Sequence, residues 1–508
     1  MDNGSSQQRI IWASTIGTAI EFYDFLIYGV ASALIFNKLF FPVFDELVGT
    51  LFSFGSFAVG FLARPLGGVL FGHFGDRLGR KNMLAATMLM MGTGTFLIGL
   101  LPTYDQIGIW APLPLILLRL VQGIGVGGEW AGATLLVVEH ARDRRGFYGS
   151  LVQTGFPIGV ATSTAAFLLL KGLPQDAVLN WGWRLPFLFS VALVAVGAFV
   201  RFRLAESPAF EAIRTDNRLS RLPFAEVLRD HWRLCLTAVG LKLSEVTWVF
   251  LITVFGLSFI KDRGGVPVET YLLGICIAAL TELVTIPLFG HLSDRVGRRP
   301  VYLFGAAVSA VMAFPLLNLL QSGQSWVVVA AIVVAMNLGH GLMFAPMAAL
   351  IPELFETRIR YSGSSFAYQT ASALGGGGAP VVATALMVWS EGGVWVVGAY
   401  MAVLSAITFA AALALRETAF RDLPGARPLR SPPTPAPTAT PTERDLPHRE
   451  VGPGNPDGRP RLAELPAPHT ASTIAEPEGH TPWIPIFARS PACSNPTSTA
   501  GTRRTSKN

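Results

Sequence analysis

Charged residues are scarce in this 508-residue chain: they make up 14% of it, whereas hydrophobic residues make up 51%. A soluble globular protein carries about 25% charged residues, so a chain of this composition is poorly suited to water. The mean hydropathy of +0.47 agrees. This scarcity argues against an ordinary soluble domain and predicts a membrane protein.

Cysteine is rarer still, with three residues in the chain. Cys235 and Cys276 fall in apolar stretches and Cys493 in the C-terminal tail, so neither a disulfide framework nor a zinc site is indicated. The eight histidines are scattered, without the HxxxH-type spacing of a metal enzyme. We predict no metal, no cofactor and no enzymatic activity.

Long apolar stretches are what the chain has in abundance. Crossing the hydrocarbon core takes about 20 apolar residues, and in lipid the backbone groups must pair within helices. The sequence therefore predicts an all-α membrane protein with twelve transmembrane helices, near residues 11–36, 49–72, 83–101, 113–137, 149–170, 185–202, 234–260, 270–290, 301–320, 326–350, 364–388 and 393–415.

The composition also divides the chain into domains. Eighteen of the 35 prolines lie from residue 421 onward, in a stretch too poor in apolar surface to offset its chain entropy. We predict a disordered, Pro-rich cytoplasmic tail at 419–508. The remainder divides into a six-helix bundle at 1–202, a basic cytoplasmic loop at 203–233 and a second six-helix bundle at 234–418.

The loop charges predict the orientation. Eighteen Lys and Arg residues fall in loops on the side of the N-terminus, and only four fall in the opposite loops, namely Lys38, Lys171, Lys261 and Arg263. Cytoplasmic loops of membrane proteins carry such an excess of positive charge. We expect both termini in the cytoplasm of a bacterium, in its inner membrane. The net charge of +6 then needs no nucleic-acid partner.

An internal repeat relates the two halves. GHFGDRLGRK (72–81) follows the second predicted helix, and GHLSDRVGRR (290–299) follows the eighth, 218 residues later. The copies share Gly, His, Asp, Arg, Gly and Arg in register. Two duplicated halves with a substrate site between them, near mid-membrane, form a known transporter architecture. A membrane enzyme or receptor would give this duplication no purpose.

These residues resemble the major facilitator superfamily, whose signature loop joins helices 2 and 3. More narrowly, the chain resembles the metabolite:proton symporters, which include shikimate, α-ketoglutarate, citrate and proline/betaine transporters. The osmosensing members carry a C-terminal coiled coil, whereas this tail has no sustained heptads. The matching segments are IGTAIEFYDFLIYG (16–29), FLARPLGGVLFGHFGDRLGRK (61–81), RLVQGIGVGGEW (119–130), EHARDRRGFYGS (139–150), WGWRLPF (181–187) and RLAESPAFE (203–211).

Ionisable residues within spans are costly and so invite a functional hypothesis. On the first span, Glu21, Asp24 and Tyr28 share one helical face. The two acids are predicted to bind protons beside the substrate, which Tyr28 would contact. The alternative is that one acid only neutralises a buried arginine.

The second and fourth spans supply the matching cations. Arg119, Gln122 and Glu129 form one polar stripe, in which Arg119 and Gln122 are predicted to bind substrate and Glu129 to bind a proton. The planar fork of Arg119 suits a carboxylate, but a structural Arg119–acid lock is an equal alternative. Arg64 is a further candidate for substrate binding, with pairing to Glu129 or Asp24 as its alternative.

The second half offers five candidate substrate contacts. On the seventh span Lys242, Glu245 and Trp248 recur at a spacing of three, although Lys242 and Glu245 could simply pair with each other. Tyr368 and Gln369 precede four glycines, 375–378, which indicate either a pliable helix or close packing.

The repeat is predicted to hold the cytoplasmic gate, since the resemblance implies a latch in both copies. An aspartate there can cap a helix N-terminus or pair with an arginine. The predicted gating residues are Gly72, Asp76, Arg77, Arg80, Asp294, Arg295 and Arg298. The histidines of the two copies, His73 and His291, are expected to make structural hydrogen bonds.

The predicted function is proton-coupled uptake of a small polar metabolite by alternating access, with an organic acid such as shikimate or a dicarboxylate as cargo. We expect a monomer whose partners are the metabolite, protons and lipid. A proline/betaine-type osmolyte symporter is the first alternative. A proton-antiporting efflux pump is the second, for which GFPIG (155–159) matches the helix-5 signature only in part.

Overall fold

Apolar helices account for almost all of the described chain, as the hydropathy predicts. The computed structural model describes residues 3–78, 80–141, 143–202, 223–263, 265–356 and 359–421, and the backbone alone at 3–7, 72–78, 80–82, 140, 200–202 and 223–225. No β-strand occurs in these ranges. Within these ranges, ten helices are long and apolar enough to cross a membrane, and two further pairs of helices, bent by 71° and 44°, are so when each pair is taken together. The predicted fold class is thereby confirmed.

The helices follow one another in the predicted order, and we number the spans accordingly. They are Asn3–Leu34 (span 1), Glu46–Leu78 (span 2), Arg80–Gly99 (span 3), Pro112–Gly127 with Glu129–His140 (span 4), Arg145–Gln153 with Gly155–Leu170 (span 5), Arg184–Phe202 (span 6), Trp232–Phe250 with Gly256–Arg263 (span 7), Val268–Val296 (span 8), Arg298–Leu320 (span 9), Ser325–Val334 with Leu342–Glu353 (span 10), Arg360–Ala371 with Gly378–Trp389 (span 11) and Val394–Ala414 (span 12).

Shorter helical segments complete the list. The π-helical turns Leu251–Phe255, Ala335–Gly341 and Ser372–Gly377 interrupt spans 7, 10 and 11. The remaining segments are Phe36–Phe40, Tyr104–Ile107, Gly108–Trp110, Gln175–Ala177, Val178–Gly182 and Pro223–Asp230.

Helix pairing repeats between the two halves. Span 2 packs on span 4, span 1 on span 5 and span 3 on span 6; the equivalent pairs 8 with 10, 7 with 11 and 9 with 12 pack in the second half. Spans 5 and 8, and spans 2 and 11, join the halves. The two six-helix bundles are therefore arranged alike, as the sequence repeat predicts.

Two predicted loops are partly helical. The first repeat copy continues the helix of span 2 to Leu78, and the second continues span 8 to Val296. Within the predicted loop 203–233, Pro223–Asp230 forms a helix, and residues 203–222 lie outside the described ranges. Hydropathy locates only the apolar part of a helix, whereas hydrogen bonding continues into the polar turns beyond it.

Both ends of the described chain lie at one end of the bundles, which we call the terminal face. Glu417, beyond span 12, accepts hydrogen bonds from the backbone of Arg298 and Arg299 at the start of span 9. An even number of crossings returns the chain to the side where span 1 begins. We call the other end the opposite face.

Glycines bring spans 2 and 4 into backbone contact. A Cβ atom on Gly123 would overlap the carbonyl oxygen of Gly60, and one on Gly127 would overlap that of Arg64. Small residues at such crossings let helix backbones approach closely. This close approach holds Arg64 and Arg119, one on each helix, near each other.

We expect Gly123→Ala to destabilise the protein by about 1–3 kcal/mol, the usual effect of overpacking, because neither backbone can yield to the added methyl group. Gly55→Ala on span 2 is the matched control, since a Cβ there meets no atom within 4 Å. Thermal unfolding of the purified proteins measures both effects. An equal Tm for the two variants would contradict the close crossing.

Candidate functional site

Five ionisable side chains are buried in the N-terminal bundle. Asp24, Arg119 and Glu129 have no exposed surface, and Glu21 and Arg64 are 3% and 4% exposed. Charges in an apolar interior cost free energy unless a partner offsets them. All five were predicted as site residues, and their packing brings them into one region between the helices.

Arg119 lies in an aromatic cage. Its guanidinium carbon is 3.9 Å from the ring centroid of Tyr28, 4.4 Å from that of Phe25 and 5.4 Å from that of Phe57. Nη1 donates a 2.9 Å hydrogen bond to Gln122 Oε1. Nε and Nη2 meet no acceptor in the described part of the chain. Aromatic faces attract the cation, but they leave its fork without an anion.

The predicted stripe on span 4 is thus partly explained by local bonding. Gln122 accepts from Arg119 and donates from Nε2 to Thr95 Oγ1 over 2.8 Å. The Tyr28 hydroxyl, which is fully buried, lies 2.7 Å from Ser56 Oγ. These hydrogen bonds fix the Gln122 amide and the Tyr28 ring beside Arg119, and so hold its guanidinium group in position.

Arg64 shares the same aromatic surroundings and has an acidic neighbour. Its guanidinium carbon lies 3.9 Å from the Phe25 ring and 4.1 Å from the Phe61 ring. Glu21 is the carboxylate whose charge acts on Arg64, and it acts on Lys242 of the other bundle as well. Glu21 therefore connects the cations of the two bundles.

Asp24 is fully buried, and neither carboxylate oxygen has a partner within hydrogen-bond distance among the described residues. The Thr95 hydroxyl lies nearby and donates to the Met91 carbonyl over 3.2 Å. Glu129 is its acidic neighbour. A carboxylate in such surroundings is far more stable as the neutral acid than as the anion.

The C-terminal bundle contributes a paired cation. Lys242 Nζ donates to Glu245 Oε2 over 2.8 Å and lies 3.7 Å from the centroid of the Tyr368 ring. The pairing that the sequence left as an alternative therefore exists. Trp248 is also fully buried, and its indole N–H has no acceptor in the described ranges.

Tyr368 and Gln369 lie between the bundles. The Tyr368 ring stacks on Trp130 of span 4, with centroids 3.8 Å apart. Gln369 Nε2 donates to the carbonyls of Val126 and Gly127, at 3.3 and 3.2 Å. Both predicted side chains thus contact span 4 where its two helices meet.

Two buried residues, His340 and Glu282, were missing from the predicted site. His340 Nε2 lies 3.1 Å from Glu245 Oε1, and its Nδ1 lies 2.8 Å from Glu282 Oε1. The three residues come from spans 10, 7 and 8. Their positions inside apolar spans were the one available signal, because sequence spacing carries no information about contacts among three helices.

A charged cluster closes the terminal face. Asp294 accepts hydrogen bonds from the backbone N–H groups of Gly146 and Phe147, at 2.9 and 2.8 Å, at the start of span 5. Arg298 donates to Asp294 over 2.7 Å. Arg145 and Arg298 both pair with Glu353, at 3.4 and 3.5 Å.

The other predicted gating residues are placed differently. Arg295 is exposed on the last turn of span 8. Gly72, Asp76, Arg77 and Arg80 belong to the first repeat copy, where only the backbone is described, so their predicted contacts lie outside the described side chains. His291 lies within the helix of span 8 rather than at its edge.

The opposite face is closed as well. Lys261 of span 7 pairs with Glu46 of span 2 over 2.9 Å, and Lys171 pairs with Glu269 over 3.1 Å. Each pair joins the two bundles. With contacts at both faces and buried charges between them, the protein is in an occluded arrangement.

Known proteins resemble this chain in sequence and in fold. A family model for sugar (and other) transporters matches residues 10–230, and one for the major facilitator superfamily matches residues 265–497. The shikimate transporter of Escherichia coli K12 is 41% identical over 420 residues, covering 82% of this chain and 95% of the relative. An inner membrane metabolite transport protein of the same strain is also 41% identical, covering 82% and 96%.

More distant proteins complete the comparison. The proline/betaine transporter of Escherichia coli K12 is 35% identical over 453 residues, covering 85% of this chain and 87% of the relative. Among solved structures, a proton:xylose symporter superposes with a TM-score of 0.65 at 19% identity, covering 82% of this chain and 97% of the other. At that identity the likeness concerns the fold alone.

Proposed function

The chain belongs to the major facilitator superfamily, in the group of its shikimate, metabolite and proline/betaine transporters, and from this premise we propose that it takes up a small organic acid together with protons. It is a multi-pass membrane transporter and not an enzyme. The proposed location is the inner membrane of a bacterium, with the terminal face in the cytoplasm and a monomer as the working unit.

The observation that carries the proposal is the unpaired fork of Arg119. A buried cation without an anion is costly, and removing one member of a buried ion pair typically costs 3–5 kcal/mol. Here the cation keeps its charge with two of its donor positions, Nε and Nη2, unused. A substrate carboxylate would supply the missing acceptors bidentately, in the geometry that guanidinium prefers.

Two further buried polar groups would suit a hydroxylated acid. In the described part of the chain, the Trp248 indole N–H is a donor without an acceptor, and Gln369 Oε1 is an acceptor without a donor. Substrate hydroxyl groups would satisfy both, since a hydroxyl donates and accepts. The 41% identity to a shikimate transporter supports the same class.

Proton coupling is proposed to use Asp24, with Glu21 and Glu129 as neighbouring acids. Protonated Asp24 is neutral, so it does not compete with the substrate for Arg119. When the inward-facing site admits water, Asp24 can ionise and the substrate anion is released. Proton binding and substrate binding would thus each favour the other, as thermodynamic coupling between two sites requires.

The two faces are proposed to act as alternate gates. The cluster around Asp294 and Arg298 would open toward the cytoplasm, and the pairs Lys261–Glu46 and Lys171–Glu269 would open outward. The charged cluster is the more buried of the two, so its opening should cost more. The occluded arrangement would then lie between the outward-open and inward-open states.

Transport by the purified protein in liposomes tests the proposal, with labelled shikimate as the probe. We expect uptake to rise when the outside is acidic and to collapse when a protonophore removes the gradient. Uptake of labelled proline or glycine betaine instead would favour the osmolyte alternative. Accumulation driven by proton exit, rather than proton entry, would favour efflux and contradict the proposed direction.

For the gate, Asp294→Asn should open the terminal face about 10- to 150-fold more often, because a charge-assisted hydrogen bond contributes about 1.5–3 kcal/mol. Asparagine keeps the shape but loses the charge that faces the start of span 5. Maleimide labelling of a buried Ser150→Cys probe at this interface measures the opening. Asp143→Asn, an exposed neighbour, is the control, and equal labelling of both variants would contradict the latch.

A further inference from the structure

The C-terminal bundle holds a buried acid–histidine–acid arrangement, which we call the triad: Glu245, His340 and Glu282. All three side chains are at least 97% buried. Each ring nitrogen of His340 faces a carboxylate oxygen, at 3.1 Å for Glu245 and 2.8 Å for Glu282. Both distances are those of hydrogen bonds.

Counting donors shows that the triad holds an extra proton. A neutral imidazole has one N–H donor and one acceptor nitrogen, whereas an ionised carboxylate only accepts. Two ionised carboxylates around a neutral His340 would leave one contact with two lone pairs and no hydrogen. Either His340 is the imidazolium ion or one carboxyl group is protonated. Both arrangements contain one proton more than a neutral His340 with Glu245 and Glu282 both ionised.

Charge balance gives the same count. Glu245 also binds Lys242 over 2.8 Å, so this carboxylate is ionised and the extra proton lies on His340 or Glu282. With that proton, Lys242 and the triad together are neutral; without it they carry one buried negative charge. Burying an unbalanced charge is costly, so the occluded arrangement retains the proton.

The triad adjoins the surface along which the bundles separate. The His340 ring lies 4.9 Å from the Phe156 ring of span 5, in the other bundle, and 4.6 Å from Phe344. His340 belongs to the π-helical turn Ala335–Gly341, and such turns recur at functional sites. Moving span 5 away would uncover the imidazole.

The charged surroundings connect the triad to the proposed substrate site. The charges of Glu21 and Arg64 in the N-terminal bundle also act on Lys242. A substrate anion near these cations would weaken the hold of Lys242 on Glu245. The titratable and charged groups facing the triad or Lys242 are Glu21 (span 1), Arg64 (span 2), Tyr302 (span 9) and Tyr368 (span 11).

We propose that the triad Glu245–His340–Glu282 carries a second transported proton, bound when the bundles close and released when they separate toward the cytoplasm. The inference rests on the proposed proton symport and adds to it a site in the C-terminal bundle. In the substitution Glu282→Gln, the amide can donate to His340 Nδ1 while His340 donates from Nε2 to Glu245, so both contacts are preserved without the extra proton.

Flux reversal in liposomes measures the number of coupled protons, with labelled shikimate as the probe and the membrane potential clamped at zero. Each coupled proton multiplies the equilibrium substrate ratio about tenfold per pH unit. We expect Glu282→Gln to lower that ratio about tenfold per pH unit while substrate exchange continues. His291→Gln, outside the triad, should leave the ratio unchanged. An unchanged ratio in Glu282→Gln would overturn the proposal.

A proton count without substrate separates this inference from the proposed function. Protein unfolded in detergent at about pH 8 has neutral histidines, whose ordinary pKa is about 6.5, and ionised carboxylates. The parent chain should therefore release one proton more than Glu282→Gln, as read by an indicator dye. Equal release would refute the triad even if shikimate transport is observed. A difference of one proton supports the triad even if the probe is not transported.

Discussion

Replacing Arg119 with glutamine should weaken carboxylate binding by about 140- to 4000-fold, the equivalent of the 3–5 kcal/mol typical of a broken buried ion pair. The empty protein should be as stable as the parent or more stable. These two expectations follow from one geometry. The guanidinium has aromatic rings and one amide around it, with Nε and Nη2 unpartnered in the described part of the chain.

The sign of the stability change is what separates a binding site from a structural lock. If Arg119 held an acid in the folded protein, its removal would leave that acid buried and unpaired, and Tm would fall. Arg184→Gln is the matched control, because Arg184 donates to the carbonyls of Gly99 and Leu101 at 2.8 and 2.7 Å. That variant should lose stability and keep its affinity.

A conservative substitution distinguishes charge from shape at the same position. Arg119→Lys keeps the positive charge but lacks the planar fork that contacts a carboxylate bidentately. We expect intermediate affinity, measured by titration with shikimate and by the ligand-induced rise in Tm. Wild-type affinity in Arg119→Lys would mean that the charge alone suffices. A large loss of Tm in Arg119→Gln with unchanged affinity would contradict the binding role.

The spans and the repeat could be predicted because they depend on local properties. A stretch such as Arg298–Leu320 is apolar enough by itself to require a helix in lipid, and the repeat copies match position by position. The bond between Arg119 and Gln122 follows in the same way, since residues three apart are neighbours on a helix. These features depend on local chemistry, so they could be predicted without knowing the tertiary packing.

The pairing of acids with bases could not be predicted, because it depends on packing among several helices. Arg64 was predicted to bind substrate, with pairing to Glu129 or Asp24 as the alternative, and the sequence did not suggest that Glu21 acts on it. His340 was ambiguous for a further reason. A π-helical turn inserts an extra residue, so positions beyond it rotate away from the face that a regular helical period assigns to them.

The glycines of span 11 show how two interpretations can both hold. Residues Ser372–Gly377 form a π-helical turn, which agrees with a pliable helix. A Cβ on Gly377 would also crowd the Phe61 ring of span 2, which agrees with close packing. Sequence composition could not separate the two, because glycine serves both purposes.

Asp24→Asn should lower gradient-driven accumulation about tenfold per pH unit, leaving the proton on the triad as the remaining driving force, while exchange of substrate across the membrane continues. Asparagine resembles the protonated acid in shape and charge, so the occluded state should still form and still bind a carboxylate. The variant cannot carry this proton, however, so the share of the driving force that it supplies is lost. One coupled proton contributes about tenfold per pH unit, and about 2.3 kcal/mol per 100 mV of membrane potential.

The comparison with Glu21→Gln makes this expectation specific to Asp24. Glu21 acts on Arg64 and Lys242, so its neutralisation leaves two buried cations without that acid and should lower Tm. Asp24 leaves no charged partner behind in the described part of the chain, so Asp24→Asn should keep its Tm while its accumulation falls. Asp105→Asn, at an exposed site near the opposite face, should change neither quantity. Undiminished accumulation by Asp24→Asn would mean that Asp24 does not carry a coupled proton, because an amide cannot release the proton that the transport cycle must deliver.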